Sequence, residues 1–125
     1  MQHIDECVNF PEDKWEKVIA LNLSSAFYLT KYSLAHMQKA AWGRIVNIAS
    51  VHGLVASVNK SAYVASKHGI VGFTKAVALE NAKKGITVNA ICPGFVLTPL
   101  IEKQIEIVSK RDNITIEQAS KKLVE

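Results

Sequence analysis

Cysteine is scarce: Cys7 and Cys92 are the only two in 125 residues. They show neither metal nor redox spacing, so they read as reduced thiols of a cytoplasmic protein. No apolar run approaches the roughly 20 residues that span a bilayer, which excludes a helical membrane protein. The N-terminus carries His3, Asp5 and Glu6 in place of an apolar stretch and does not read as a secretory signal. Nor is there a basic block. The 15 Lys and Arg are interspersed with 11 Asp and Glu for a net charge of +4, and basic pairs such as Lys83-Lys84 and Lys121-Lys122 are short. Solvated helix faces explain that pattern better than a nucleic-acid surface. Internal repeats, linkers and low-complexity segments are also lacking.

What remains is a chain that is 49% hydrophobic, enough to build a core, and short enough for a single domain spanning 1–125. Met1 to Phe10 has no period and reads as a loop. Pro11, Glu12 and Asp13 look like a helix start, since proline and acidic side chains suit the first turn. Apolar residues then recur at helical spacing from Trp15 towards Met37, predicting one long helix that ends between Ala40 and Gly43. Asn22 lies inside it. Asparagine competes for backbone partners in a helix, so it is either tolerated on a solvent face or partly buried on the stripe of Val18 and Ala26.

Gly43 to Ala49 is short, apolar and β-branched and reads as a buried strand. Ser61 to Lys84 is a second long helix, with Ser61 able to cap it and Gly85 closing it. Gly69 and Gly72 each cost about 1 kcal/mol there unless something packs closely against them. Ile86 to Cys92 is a second strand, broken by Pro93-Gly94. Thr98-Pro99 opens a third helix through about Lys110, and a final helix is capped near Asn113 or Thr115. Strands alternating with long helices predict an α/β fold whose parallel sheet is covered on both faces.

The chemistry gathers between Arg44 and Lys67. Ser50 ends the first strand, and Tyr63 and Lys67 stand in a YxxxK arrangement that puts both on one helix face. A phenol beside a fixed cation releases its proton more readily, because the charge favours the phenolate. Such a tyrosine can act as a general acid or base. The serine-to-tyrosine separation is thirteen (63 − 50 = 13). With YxxxK and the later PGFVLTP run, Pro93 to Pro99, this pattern resembles the short-chain dehydrogenase/reductase family.

The resemblance implies the later half of a doubly wound, Rossmann-like parallel sheet. It implies hydride transfer between a secondary alcohol and a nicotinamide dinucleotide, NAD with NADP not excluded. By resemblance, Asn22 (in a WxxVxxxN context), Ser50, Tyr63 and Lys67 form the catalytic tetrad. Pro93, Gly94, Val96 and Thr98, with Tyr63 and Lys67, contact the cofactor. Within the family the chain is most similar to the 3-hydroxybutyrate dehydrogenases. On that likeness Gln2, His52, Lys60, Phe95 and Gln104 join Ser50 and Tyr63 around a small anionic hydroxy acid, a charge that a lysine and neutral donors suit. Phe95 stands where that group often has tryptophan and keeps only the aromatic wall. A 3-oxoacyl thioester reductase and a non-catalytic assembly module remain the alternatives. The family's long helices commonly pack between subunits, so a homo-oligomer, a tetramer in the family at large, is implied.

The chain has no TGxxxGxG turn and no NNAG segment. It is therefore expected to be a fragment of an enzyme, and whether it acts alone is open.

Overall fold

The structure, a computed structural model, describes residues 1–124. It divides into two compact units, Met1–Pro93 and Gly94–Glu125.

The first unit opens with the expected loop, which holds one 3₁₀ turn, Cys7–Asn9. Pro11 then caps α1 (Glu12–Ile19), with Glu12 and Asp13 in the favourable first turn. The expected single long helix is interrupted. Ala20–Ser24 forms a π-helical turn before α2 (Ser25–Lys39) resumes the α-helix. The turn is centred on Asn22, the residue with least reason to be in a helix. Ser25 Oγ donates to the Leu21 carbonyl at 2.6 Å and takes up a backbone acceptor within it.

Two parallel strands, β1 (Gly43–Ile48) and β2 (Ile86–Ile91), pair from Gly43↔Ile86 to Ile48↔Ile91. Their junction requires a glycine. Gly85 has φ +71°, and a Cβ there would run into the Ala41 carbonyl. Its own carbonyl receives the Gly43 N–H at 3.3 Å and Arg44 Nη1 at 2.9 Å, which sets both strand starts level.

Between the strands runs α3 (Ser61–Asn81). It ends earlier than Lys84, and Gly85 closes the turn that follows. Ser61 does not cap it: Lys60 holds the cap position, and Ser61 Oγ is buried with no partner. Gly69 packs on Leu23, whereas Gly72 faces open space.

The core joins Val77 of α3 to Ile86 and Val88 of β2, with Leu34, Met37, Ile45 and Phe73 packed around them. Both long helices thus cover one face of the sheet. The other face is not covered among the described residues: Val46, Ile48 and Ile91 are all more than half exposed. Within the first unit the expected two-sided cover is therefore not seen: its two strands carry helices on one face only.

The second unit pairs α4 (Pro99–Asp112) with α5 (Ile116–Val124). Thr98 caps α4 by accepting from the Ile101 N–H, and Asn113 closes it with φ 51°. Thr115 and Gln118 then exchange backbone bonds at 3.2 and 3.0 Å in a reciprocal capping box. Of the two residues expected to cap the final helix, Thr115 does so, whereas Asn113 closes α4.

Candidate active site

The site is built at the carboxyl end of β1, where open parallel sheets place their ligands. Beyond Ile48 the pairing of the two chain segments continues through Ala49 N–H to the Ile91 carbonyl and Val51 N–H to the Pro93 carbonyl, both at 2.8 Å. Ser50, between them, is extended and buried. Its Oγ accepts the His52 N–H at 3.2 Å, starting a 3₁₀ turn over Val51–Gly53. A hydroxyl that accepts from the backbone still has its own proton to give. Gly53 seats this turn on α3: a Cβ there would lie 2.8 Å from the Lys67 carbonyl oxygen and 2.9 Å from Val71 Cγ2.

Tyr63 and Lys67 project from the first two turns of α3, as YxxxK predicts. Lys67 Nζ lies 5.7 Å from the centre of the Tyr63 ring and donates to the Ile48 carbonyl at 2.9 Å. Burial lowers the Lys67 pKa from its ordinary value, with the nearby Cys92 sulfur acting in the opposite direction. The Ile48 carbonyl offsets part of that desolvation by accepting from the ammonium.

His52 is buried, stacks edge-to-face on Tyr63 with centroids 5.9 Å apart, and shares a 2.7 Å hydrogen bond with Ser57 Oγ. Burial first, and then the Lys60 charge, lower its pKa from the ordinary 6.5. Ser57 was not legible in the sequence as a partner. Its signal is a polar side chain five residues on, within reach of a ring anchored by a short turn.

Asn22 enters from the π turn. Its Nδ2 donates to the Met1 carbonyl at 2.8 Å and to Ser66 Oγ at 3.5 Å, and its Oδ1 accepts from the Met1 amino group at 3.4 Å. Asn22 and Lys67 line one groove of about 440 Å³ beside β1, with Ser25, Thr30 and Asn47. Asn22 is therefore partly buried rather than a solvent-face residue. Asn47 is a satisfied scaffold group that donates to Thr74 Oγ1 at 2.9 Å.

Of the other expected residues, Gln2 is exposed. The N-terminal segment meets the loop before α3 at Asp5, whose N–H donates to the Asn59 carbonyl, next to Lys60. Pro93 receives the Val51 N–H and belongs to the first unit. Gly94, Phe95, Val96, Thr98 and Gln104 belong to the second unit, where Thr98 serves as the α4 cap. Among the described residues there is no cluster of His, Cys, Asp or Glu able to hold a metal ion. No described helix is long and apolar enough to cross a membrane.

This geometry has relatives. The chain is 56% identical over 124 residues to a D-beta-hydroxybutyrate dehydrogenase of Cupriavidus necator, covering 99% of this chain and 48% of that protein. Among solved structures it resembles a 4-hydroxyisoleucine dehydrogenase complexed with NADH (TM-score 0.76, 38% identity, 86% of this chain and 48% of that one). It also resembles a putative 2-deoxy-D-gluconate 3-dehydrogenase from Agrobacterium tumefaciens with bound NADP (TM-score 0.82, 33% identity, 90% and 46%). The chain thus spans about half the length of the proteins it matches. Residues 2–107 match the family model described as short chain dehydrogenase, and the chain belongs to that family.

Proposed function

We propose that this chain carries the catalytic half of an NAD-linked oxidoreductase that interconverts (R)-3-hydroxybutyrate and acetoacetate. The observation that carries this reading is Lys67, tied to the end of β1 and 5.7 Å from the Tyr63 ring, in a chain 56% identical to a D-beta-hydroxybutyrate dehydrogenase. The donor set suits a nicotinamide dinucleotide: a partly buried ammonium and a tyrosine stand at the end of β1, and the family likeness adds Pro93, Gly94, Val96 and Thr98, which follow β2 in the sequence. The bound cofactor would supply the hydride acceptor.

The protein's own part is positioning and proton handling. Tyr63 accepts the proton of the substrate hydroxyl. Lys67 favours that acceptance by its charge and, with the cofactor bound, would hold the nicotinamide ribose. Ser50, whose Oγ already accepts from the His52 N–H, donates its free proton to the substrate oxygen as charge develops there. Asn22 holds a water that connects Lys67 to solvent. His52 and Lys60, with Gln2, offer the first unit's donors to the carboxylate of a small hydroxy acid; the family likeness adds Phe95 and Gln104 to that list.

Two wider features belong to the same reading. The exposed aromatic residues Phe27, Tyr28 and Tyr32 on α2 support assembly as a homo-oligomer. The free thiols of Cys7 and Cys92 support a reducing, cytoplasmic setting.

The test is NADH formation from NAD and (R)-3-hydroxybutyrate. It uses the chain as given and a fusion in which the chain replaces the matching half of the Cupriavidus relative. Turnover that is lost in Tyr63→Phe supports the proposal. A folded fusion with no turnover, or one indifferent to Tyr63→Phe, sinks it.

A further inference from the structure

We propose that Ser66 and Gly69 of α3 form a seat for the π turn, and that Ser66 is a positioning residue acting on the proton path through Asn22. The last clause rests on the proposed function; the seat itself does not.

Ser66 is completely buried on α3, one turn from Tyr63. Its single proton goes to the Tyr63 carbonyl at 2.8 Å. That leaves Ser66 Oγ only as an acceptor, and the donor facing it is Asn22 Nδ2 at 3.5 Å. The second Nδ2 proton of Asn22 goes to Met1. Asn22 therefore has both amide protons placed, one of them by Ser66. Three residues on, Gly69 lets the π turn come close: a Cβ there would lie 2.8 Å from Leu23 Cδ2 and 3.1 Å from Leu23 Cδ1. So α3 holds consecutive residues of the π turn, Asn22 by a polar contact and Leu23 by van der Waals contact. A π turn trades hydrogen-bond quality for placement and needs such support from its surroundings. The same helix that presents Tyr63 and Lys67 thereby sets the position of Asn22.

The test reads the Asn22 side-chain amide by NMR in the chain as given, with the signals assigned through Asn22→Asp. Ser66→Ala should shift both Asn22 Nδ2 proton resonances and raise their exchange with water about tenfold or more. Gly69→Ala keeps the serine hydroxyl but displaces Leu23, and should move the same resonances. Should Ser66→Ala fail to fold, the near-isosteric Ser66→Cys gives the same readout. Unchanged Asn22 signals in the serine variant and in Gly69→Ala would overturn the seat.

In the fused enzyme, Ser66→Ala should lower kcat and shift its pH profile as Asn22→Ala does, with KM unchanged and the two effects not adding. An altered KM with kcat and profile intact would overturn the positioning role. The amide readout decides the seat whether or not the parent enzyme turns over, so failure of the proposed function and failure of the seat are separable.

Discussion

Lys67 Nζ and the Ile48 carbonyl lie 2.9 Å apart, so the cation of α3 is fastened to the last residue of β1. This bond, with that from Asn47 to Thr74, joins the helix that presents Tyr63 to the strand that delivers Ser50. A partly buried ammonium needs such an acceptor, and by taking it the lysine fixes its own height beside the tyrosine.

Lys67→Met removes the charge and keeps most of the side chain's bulk. In the fused enzyme kcat/KM should fall by about 10²- to 10⁴-fold, the usual range for proton-transfer catalysis. A rate above half the parent's, measured by NADH absorbance, would count against the pairing with Tyr63.

Gly53→Ala tests the seating of the serine turn. Its φ is not left-handed, so the cost is steric: the new Cβ meets the Lys67 carbonyl and Val71. Backbone cannot rotate away as a side chain can. Destabilisation of about 1–3 kcal/mol is expected from thermal or urea unfolding. A Tm equal to the parent's would mean that turn and helix separate freely.

His52 makes a pH prediction. Its pKa is lowered in the folded protein, so the unfolded chain binds more protons in the window just below 6.5. Stability should therefore be full above 6.5, fall as pH drops through the ordinary histidine value, and level off below the folded one. His52→Gln should flatten that part of the slope between about pH 7.5 and about pH 5. An unaltered difference in Tm across that range would show that His52 is not held neutral by burial.

Thr115→Ala should weaken the start of α5 by about 1 kcal/mol, since it opens a reciprocal capping box. The effect is local and is read as faster hydrogen exchange at the Gln118 amide. Unchanged exchange there would show that α5 does not depend on its cap.

The helix and strand periods were legible because burial imposes them: Ile45, Ile86 and Val88 face one core and repeat accordingly. Tyr63, Lys67 and Ser50 were legible because YxxxK and a strand end fix their faces. The bare sheet face was not, since an apolar strand reads alike whether or not a neighbour covers it. Ser61 misled because serine at a helix start suggests a cap, while the actual boundary falls one residue earlier. The π turn was half legible. Asn22 marked the weak point, but only packing against Leu23 and Ser66 decides how the backbone yields. Ser57, a partner of His52, lies in a loop, where no period points to it.

The π turn has one more consequence. It accommodates an additional residue in a helix that would otherwise repeat every 3.6, so the faces of α1 and α2 are out of phase by roughly 100°. The helix therefore works as a keyed shaft: α1 docks on α3 in one rotational setting while α2 lies on β1 in another. Deleting one residue between Ala20 and Ser24 would restore a smooth helix and turn the key. Val18, which no solvent reaches in the present setting, would then swing out of its socket while Thr30 stayed in place.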